Sequence, residues 1–262
     1  MKNQYVGDIG DYGKYGLLRF LASNDIKIGV NWYLTKYEDT SDGKFTKYLT
    51  EDKNKAYREY DRNLFDQLEP IVQKGKDKSI ADIEKAGIIP NAVFYRKKLR
   101  SSDITNAQLR KKIRDDWHSN ALEMLADKSI ELIFADPDNG TLSGSIGNVK
   151  KTLSKNSEKY TMLYELADYY KQGKNVVYYC HKARRKQDKW NEKKSELKTV
   201  CPDASIIVLT FHCGTQRSFI FGIHPEYIAK YNKLTDEFLK TNWGSVPSKS
   251  GKTPFDKEDI KE

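Results

Sequence analysis

Five short apolar runs, each cut off by a polar turn, constrain the fold of this chain more than any other feature. In IKIGVNWYLT (26–35), Ile26, Ile28, Val30, Trp32 and Leu34 alternate with other residues, the period of a strand. SIELIFADPDNG (129–140), NVVYYCH (175–181), ASIIVLTF (204–211) and RSFIFGIH (217–224) also read as strands, and NAVFYRKKL (91–99) as a further short one. Helical patterning lies between them. It is found in KYGLLRFLAS (14–23), NAQLRKKIRDDWHSNALEML (106–125, with Asp103 and Thr105 as N-cap residues), YTMLYELADYYKQGK (160–174), KARRKQDKWNEKKSELKTV (182–200) and PEYIAKYNKLTDEFLKT (225–241). Strands alternating with helices require an α/β sheet covered by helices on both faces. The last two strands, joined by HCGTQ, close it as an antiparallel hairpin.

The 262 residues are enough for one large core. Residues 45–115 are heavily charged and helical, with breaks at Glu69-Pro70 and Lys74-Gly75-Lys76. They read as an insertion or cap within a single domain spanning 1–243. Residues 142–159, rich in Gly, Ser and Lys, read as mobile, and 244–262 as a loose C-terminal tail. The mean hydropathy of -0.78, with no apolar run approaching the roughly 18 residues of a membrane span, points to a soluble protein. No signal-peptide pattern opens the chain, so the expectation is a cytoplasmic protein with no membrane partner. Three cysteines without C-x-x-C spacing argue against a disulfide framework and a structural zinc site. The net charge is +9, and residues 142–200 hold 14 Lys/Arg against 6 Asp/Glu. Such a surface favours a polyanion, with nucleic acid, DNA or RNA, as the expected partner.

Three places can carry chemistry. In α/β sheets ligands sit outside the carboxyl ends of the strands, where Asp136, Asp138 and Asn139 fall. Pro137 stiffens that turn. The two carboxylates suit an amino group or a ribose, or a divalent cation; all these residues are also good turn formers. His181 follows another strand and can serve as acid or base, with Arg184 or Arg185 as a fork for phosphate or carboxylate. Arg217, at the base of the hairpin, reads as structural. The third place is GDIGDYGKYG (7–16), with glycine at every third residue. No strand precedes it, so it is not a dinucleotide fingerprint, and it lacks the P-loop spacing. Asp8 can accept from an amine or ribose and Lys14 can meet a carboxylate or phosphate; alternatively, Asp11 caps a helix over 14–23. The expectation is a glycine-loosened arm that folds over Asp136.

Taken in order, these motifs resemble those of Rossmann-type methyltransferases that use S-adenosylmethionine, over residues 4–40 and 115–223. The order resembles that of the bacterial 23S ribosomal RNA adenine-N6 methyltransferases and the three-Cys-motif partner family. Their opening arm, G-x-x-x-D-x-x-K-H-x-x-L, is similar to GDIGDYGKYGLL, with Tyr15 in place of His. VNWYLTKYEDTSDG stands where they carry D-x-x-x-G-x-G, and it has no Gly-x-Gly. Asp136-Pro137-Asp138-Asn139 stands where they carry D-P-P-Y. The closing hairpin resembles their last two strands. The resemblance implies a methyltransferase-like mixed sheet, with S-adenosylmethionine held by Asp8, Asp11 and Lys14. Asp136, Asp138 and His181 would act on the target group, while Asn139, Arg184 and Arg185 contact substrate. Two alternatives stand beside it. One is a nuclease or phosphotransfer enzyme holding Mg²⁺ or Mn²⁺ on Asp8, Asp11, Asp136 and Asp138. The other is a non-catalytic nucleic-acid-binding protein on a degenerate methyltransferase fold.

Overall fold

The computed structural model describes residues 1–36, 45–142, 153–182, 185–248 and 251–260, with the backbone alone at 52–55. The strands β1 (Ile28–Asn31), β2 (Val93–Tyr95), β3 (Leu132–Ala135), β4 (Asn175–His181), β5 (Ser205–Phe211), β6 (Arg217–Ile223) and β7 (Phe255–Lys257) form one sheet. Its order is β2-β1-β3-β4-β6-β5-β7. The first four in that order are parallel, β6 runs antiparallel between β4 and β5, and β7 is antiparallel to β5. This is the mixed, Rossmann-like α/β sheet that the alternating pattern requires.

The strand side chains alternate between two cores. Leu132, Phe134 and Val177 face a layer containing α1 (Ile9–Ser23), α3 (Arg62–Gln73) and α8 (Ile228–Lys240). Ile133, Ala135, Val176 and Tyr178 face a layer with α5 (Ala107–Met124), α6 (Leu163–Lys171) and α7 (Gln187–Ser195). The two layers are the two faces that parallel strands must bury. A fully buried ion pair ties the second layer together: Arg114 of α5 donates through Nε and Nη2 to Glu165 of α6, at 2.6 and 2.8 Å. Tyr33, just after β1, donates its hydroxyl to the same carboxylate at 3.0 Å.

Several elements differ from the sequence reading. α1 starts at Ile9, five residues early, and its N-cap is Asp8, which accepts from the Asp11 amide at 2.9 Å. The segment 45–115 is not one insertion. It holds α2 (Lys47–Thr50), α3 and α4 (Ile80–Lys85), then a sheet strand, β2, and the start of the crossover helix α5. Pro70 lies inside α3 instead of ending it, and Asn106 caps α5, not Asp103 or Thr105. The tail expected to be loose contains the end of α9 (Asn242–Ser245) and β7. Glu258, just past β7, accepts from Thr210 at 2.6 Å and from Trp190 at 2.7 Å, which anchors the tail to β5 and α7. Residues 143–152, most of the stretch read as mobile, lie outside the described residues.

The glycine spacing acquires a packing reason. Gly10, Gly13 and Gly16 share one face of α1. A Cβ at Gly10 would run into the Arg217 guanidinium, at Gly13 into the Phe211 ring and at Gly16 into the Trp243 indole. The glycines form a shallow groove that lets the helix backbone settle against the β5–β6 hairpin and α9. Gly13→Ala would place a Cβ 2.7 Å from the buried Phe211 ring. It should lower stability by about 1–3 kcal/mol through overpacking, read as a lower urea midpoint with unchanged slope. An unchanged midpoint would mean that α1 does not rest on the hairpin.

Candidate functional site

The site begins with how α1 is started. Gly7 takes a left-handed φ of +72°, which turns the chain into the cap at Asp8. From the first turn of α1, Asp11 accepts from the Gly7 amide at 3.3 Å and from the Tyr15 hydroxyl at 3.0 Å. One turn on, the Lys14 ammonium lies 2.7 Å from Asp11 Oδ1 and 2.7 Å from Asp136 Oδ2. It is 3% exposed and sits over the rings of Tyr15 and Trp32. The expectation that the arm folds onto the strand-end turn is met in the geometry: Lys14 and Asp136, 122 residues apart, are in contact.

Asp136 follows β3 directly, and its amide donates to Asn31 O at 3.0 Å, prolonging the β1–β3 pairing. β1 has β2 on one side and β3 on the other, so the crevice past their carboxyl ends is where such sheets bind ligands. The amine of Met1 lies in that crevice, donating to Tyr33 O at 3.1 Å and Asp136 O at 3.0 Å, and 2.8 Å from Asp138 Oδ1. Lys2 Nζ is 3.5 Å from the other Asp138 oxygen. Across the site, Arg217 Nη2 is 3.4 Å from Asp8 Oδ2.

These groups line one cleft of about 410 Å³. Asp8, Asp11, Lys14, Asp136, Asp138, Asn139 and His181 all reach it, as the sequence reading requires of its site residues. Arg184 lies outside the described residues. Arg185 is not on the cleft: its guanidinium turns back onto the carbonyls of His181 and Lys182 and caps the end of β4. Met1, Tyr5, Phe45, Tyr179 and Thr215 also line it and were missed, as does Arg217, which the sequence reading took as structural. Arg217 was detectable in principle. Because β6 returns antiparallel, its first residue must stand beside the last of β4, and Arg217 is paired with His181.

The electrostatics follow from burial. Desolvation pushes the Asp136 carboxyl up from its ordinary value, against the pull of the Lys14 ammonium and the Met1 amine. Asp8 is raised too, by burial first, with Arg217 opposing. Burial alone would lower Lys14, but Asp11 and Asp136 outweigh it and hold the ammonium charged. His181 is pushed down by burial and then by the charges of Arg217 and Arg185. Both effects favour its neutral imidazole, the form that can take a proton. Among the described residues no group of three or more His, Cys, Asp or Glu side chains is placed to hold a metal ion.

Part of the basic excess at 142–200 serves the fold. Lys174, Lys193 and Lys194 are buried and donate to the carbonyls of Asp127, Thr141 and Asp259 at 2.6, 2.6 and 2.7 Å. Lys155, Lys171, Lys186, Lys189 and Lys198 remain exposed. No described helix is long and apolar enough to cross a membrane.

No protein-family model and no curated protein matches the chain. Among solved structures it is similar to protein LPL1258 from Legionella pneumophila str. Philadelphia 1, described as family-model DUF519. That likeness covers 97% of this chain and 98% of that one, at 12% identity and a TM-score of 0.49.

The charges around His181 give a direct test. By two-dimensional NMR its imidazole should titrate below the usual ~6.5. Arg217→Gln should move the midpoint upward, because a cation that disfavours the imidazolium is gone. An unshifted midpoint in the wild type, or a downward move in the variant, contradicts this arrangement.

Proposed function

We propose that this protein is a methyltransferase-like enzyme acting on nucleic acid, with the cleft between α1 and the ends of β3, β4 and β6 as its reactive site. One observation supports the reading above others. Lys14 of the opening arm rests on Asp136 of the strand-end turn. The two motifs that resemble the adenine-N6 methyltransferases thus line the same cleft. The reversed β6 between β4 and β5 agrees with the same resemblance.

S-Adenosylmethionine carries an amino acid end with both charges, and it would supply the methyl group on its sulfonium. The cleft interleaves Asp8, Asp11 and Asp138 with Lys14 and Arg217, a donor set that fits such a zwitterion. The fit is at that end. β1 leads into buried Trp32 and Tyr33 in place of a glycine loop, and Asn31 spends its side chain on the Tyr169 hydroxyl and the Tyr33 amide. Asp136 is placed to accept a hydrogen bond from an acceptor amine, with Asn139 beside it. Neutral His181 is available for the proton that the amine gives up. A reading in which Mg²⁺ or Mn²⁺ bridges Asp11 and Asp136 has to displace Lys14, whose ammonium already lies 2.7 Å from each carboxylate.

Titration calorimetry with S-adenosylmethionine and its demethylated product should show saturable binding. Transfer of labelled methyl to bulk RNA or DNA should follow, and His181→Gln, which leaves the Lys14–Asp136 contact intact, should slow it by about 100-fold or more while leaving cofactor binding in place. No heat with either compound removes the reading. Nucleic-acid binding without cofactor binding would favour the non-catalytic alternative.

A further inference from the structure

The turn Asp136–Asn139 offers carboxylates and an amide but no aromatic ring. A nucleobase that presents its amine to those carboxylates also has two flat apolar faces to cover, and aromatic side chains are the usual partners for them. Three large apolar side chains are exposed among the described residues: Phe45 at 50%, Leu109 at 45% and Met124 at 53%. Leu109 and Met124 lie on α5, away from the site; Phe45 lines the cleft. A single exposed apolar residue on an open surface needs no explanation. One that lines the same cleft as the buried Asp136 and Asp138 can meet a ligand bound there. Its placement is fixed by the backbone, since Phe45 O accepts from the amide of Ile9, the first residue of α1, at 3.1 Å. The backbone of Phe45 is therefore tied to the helix that bears Asp11 and Lys14.

We propose that Phe45 is a stacking platform that holds one unpaired, amine-bearing nucleobase of a single strand over Asp136 and Asp138. The inference deepens the nucleic-acid reading above and rests on it. A paired base uses its exocyclic amine in the duplex, so the base must come from a single strand or leave its stack.

The test is a binding measurement on the full chain without cofactor, so it does not depend on methyl transfer. The probes are a short oligoadenylate and a strand of equal length with abasic sites. The wild type should prefer oligoadenylate, and Phe45→Ala should weaken that binding by about 5- to 150-fold while leaving the abasic strand unaffected. Phe45→Trp should keep the affinity. Its solvent-exposed emission should be quenched by oligoadenylate alone, against a background of buried Trp32, Trp117, Trp190 and Trp243. Equal binding of the two strands by the wild type, or wild-type affinity in Phe45→Ala, overturns the proposal. Intact stacking with no methyl transfer would remove the enzymatic reading and leave this one standing. Transfer at the wild-type rate by Phe45→Ala would do the reverse.

Discussion

A single buried ammonium, that of Lys14, ties the two halves of the site together. It pairs with Asp11 on its own helix and with Asp136 at the end of β3, and it lies over the rings of Tyr15 and Trp32. Without it, two carboxylates would face each other in a space that excludes water, where an uncompensated charge costs several kcal/mol. The position of α1 over the sheet and the shape of the cleft depend on that contact. The outer wall of the cleft depends on a second pair, Asp8 with Arg217, which joins the helix cap to the hairpin.

The glycines of α1 make this geometry possible. Each interior glycine costs a helix up to about 1 kcal/mol relative to alanine. Here the missing side chains are filled by Arg217, Phe211 and Trp243, so that the cost is offset by packing across the groove. One of these contacts also has electrostatic consequences. Gly10 makes room for the guanidinium that meets Asp8 and helps keep His181 neutral. Packing and electrostatics are thus set by the same residues.

The alternation of strands and helices, and the hairpin, were legible because β1 and β3 to β6 are largely buried and read as apolar runs or as an apolar alternation. That Asp136, Asp138, Asn139 and His181 would line a cleft was legible because each stands at the end of such a run. The approach of the segment bearing Asp8, Asp11 and Lys14 to Asp136 rested on motif order, since nothing local marks the Lys14–Asp136 contact 122 residues away. Glycine misled the reading of 7–16: as a helix weakener it suggested a loosened arm, whereas the structure uses it as a groove. β7 was illegible for a different reason. Three residues in a Gly, Ser, Lys and Pro context carry no strand period, and they are held by β5 and Glu258, which are remote or side-chain effects. Phe45 stood out in neither pattern because its interest comes only from the cleft it lines.

The central claim is that Lys14 and Asp136 depend on each other across the cleft. A double-mutant cycle with Lys14→Met and Asp136→Asn, read by urea denaturation, measures that dependence. Lys14→Met should cost about 3–5 kcal/mol, and the double variant clearly less than the sum of the two single losses, because each single change leaves a buried partner uncompensated. Losses that add to within about 0.5 kcal/mol would contradict the account, since independent sites behave that way.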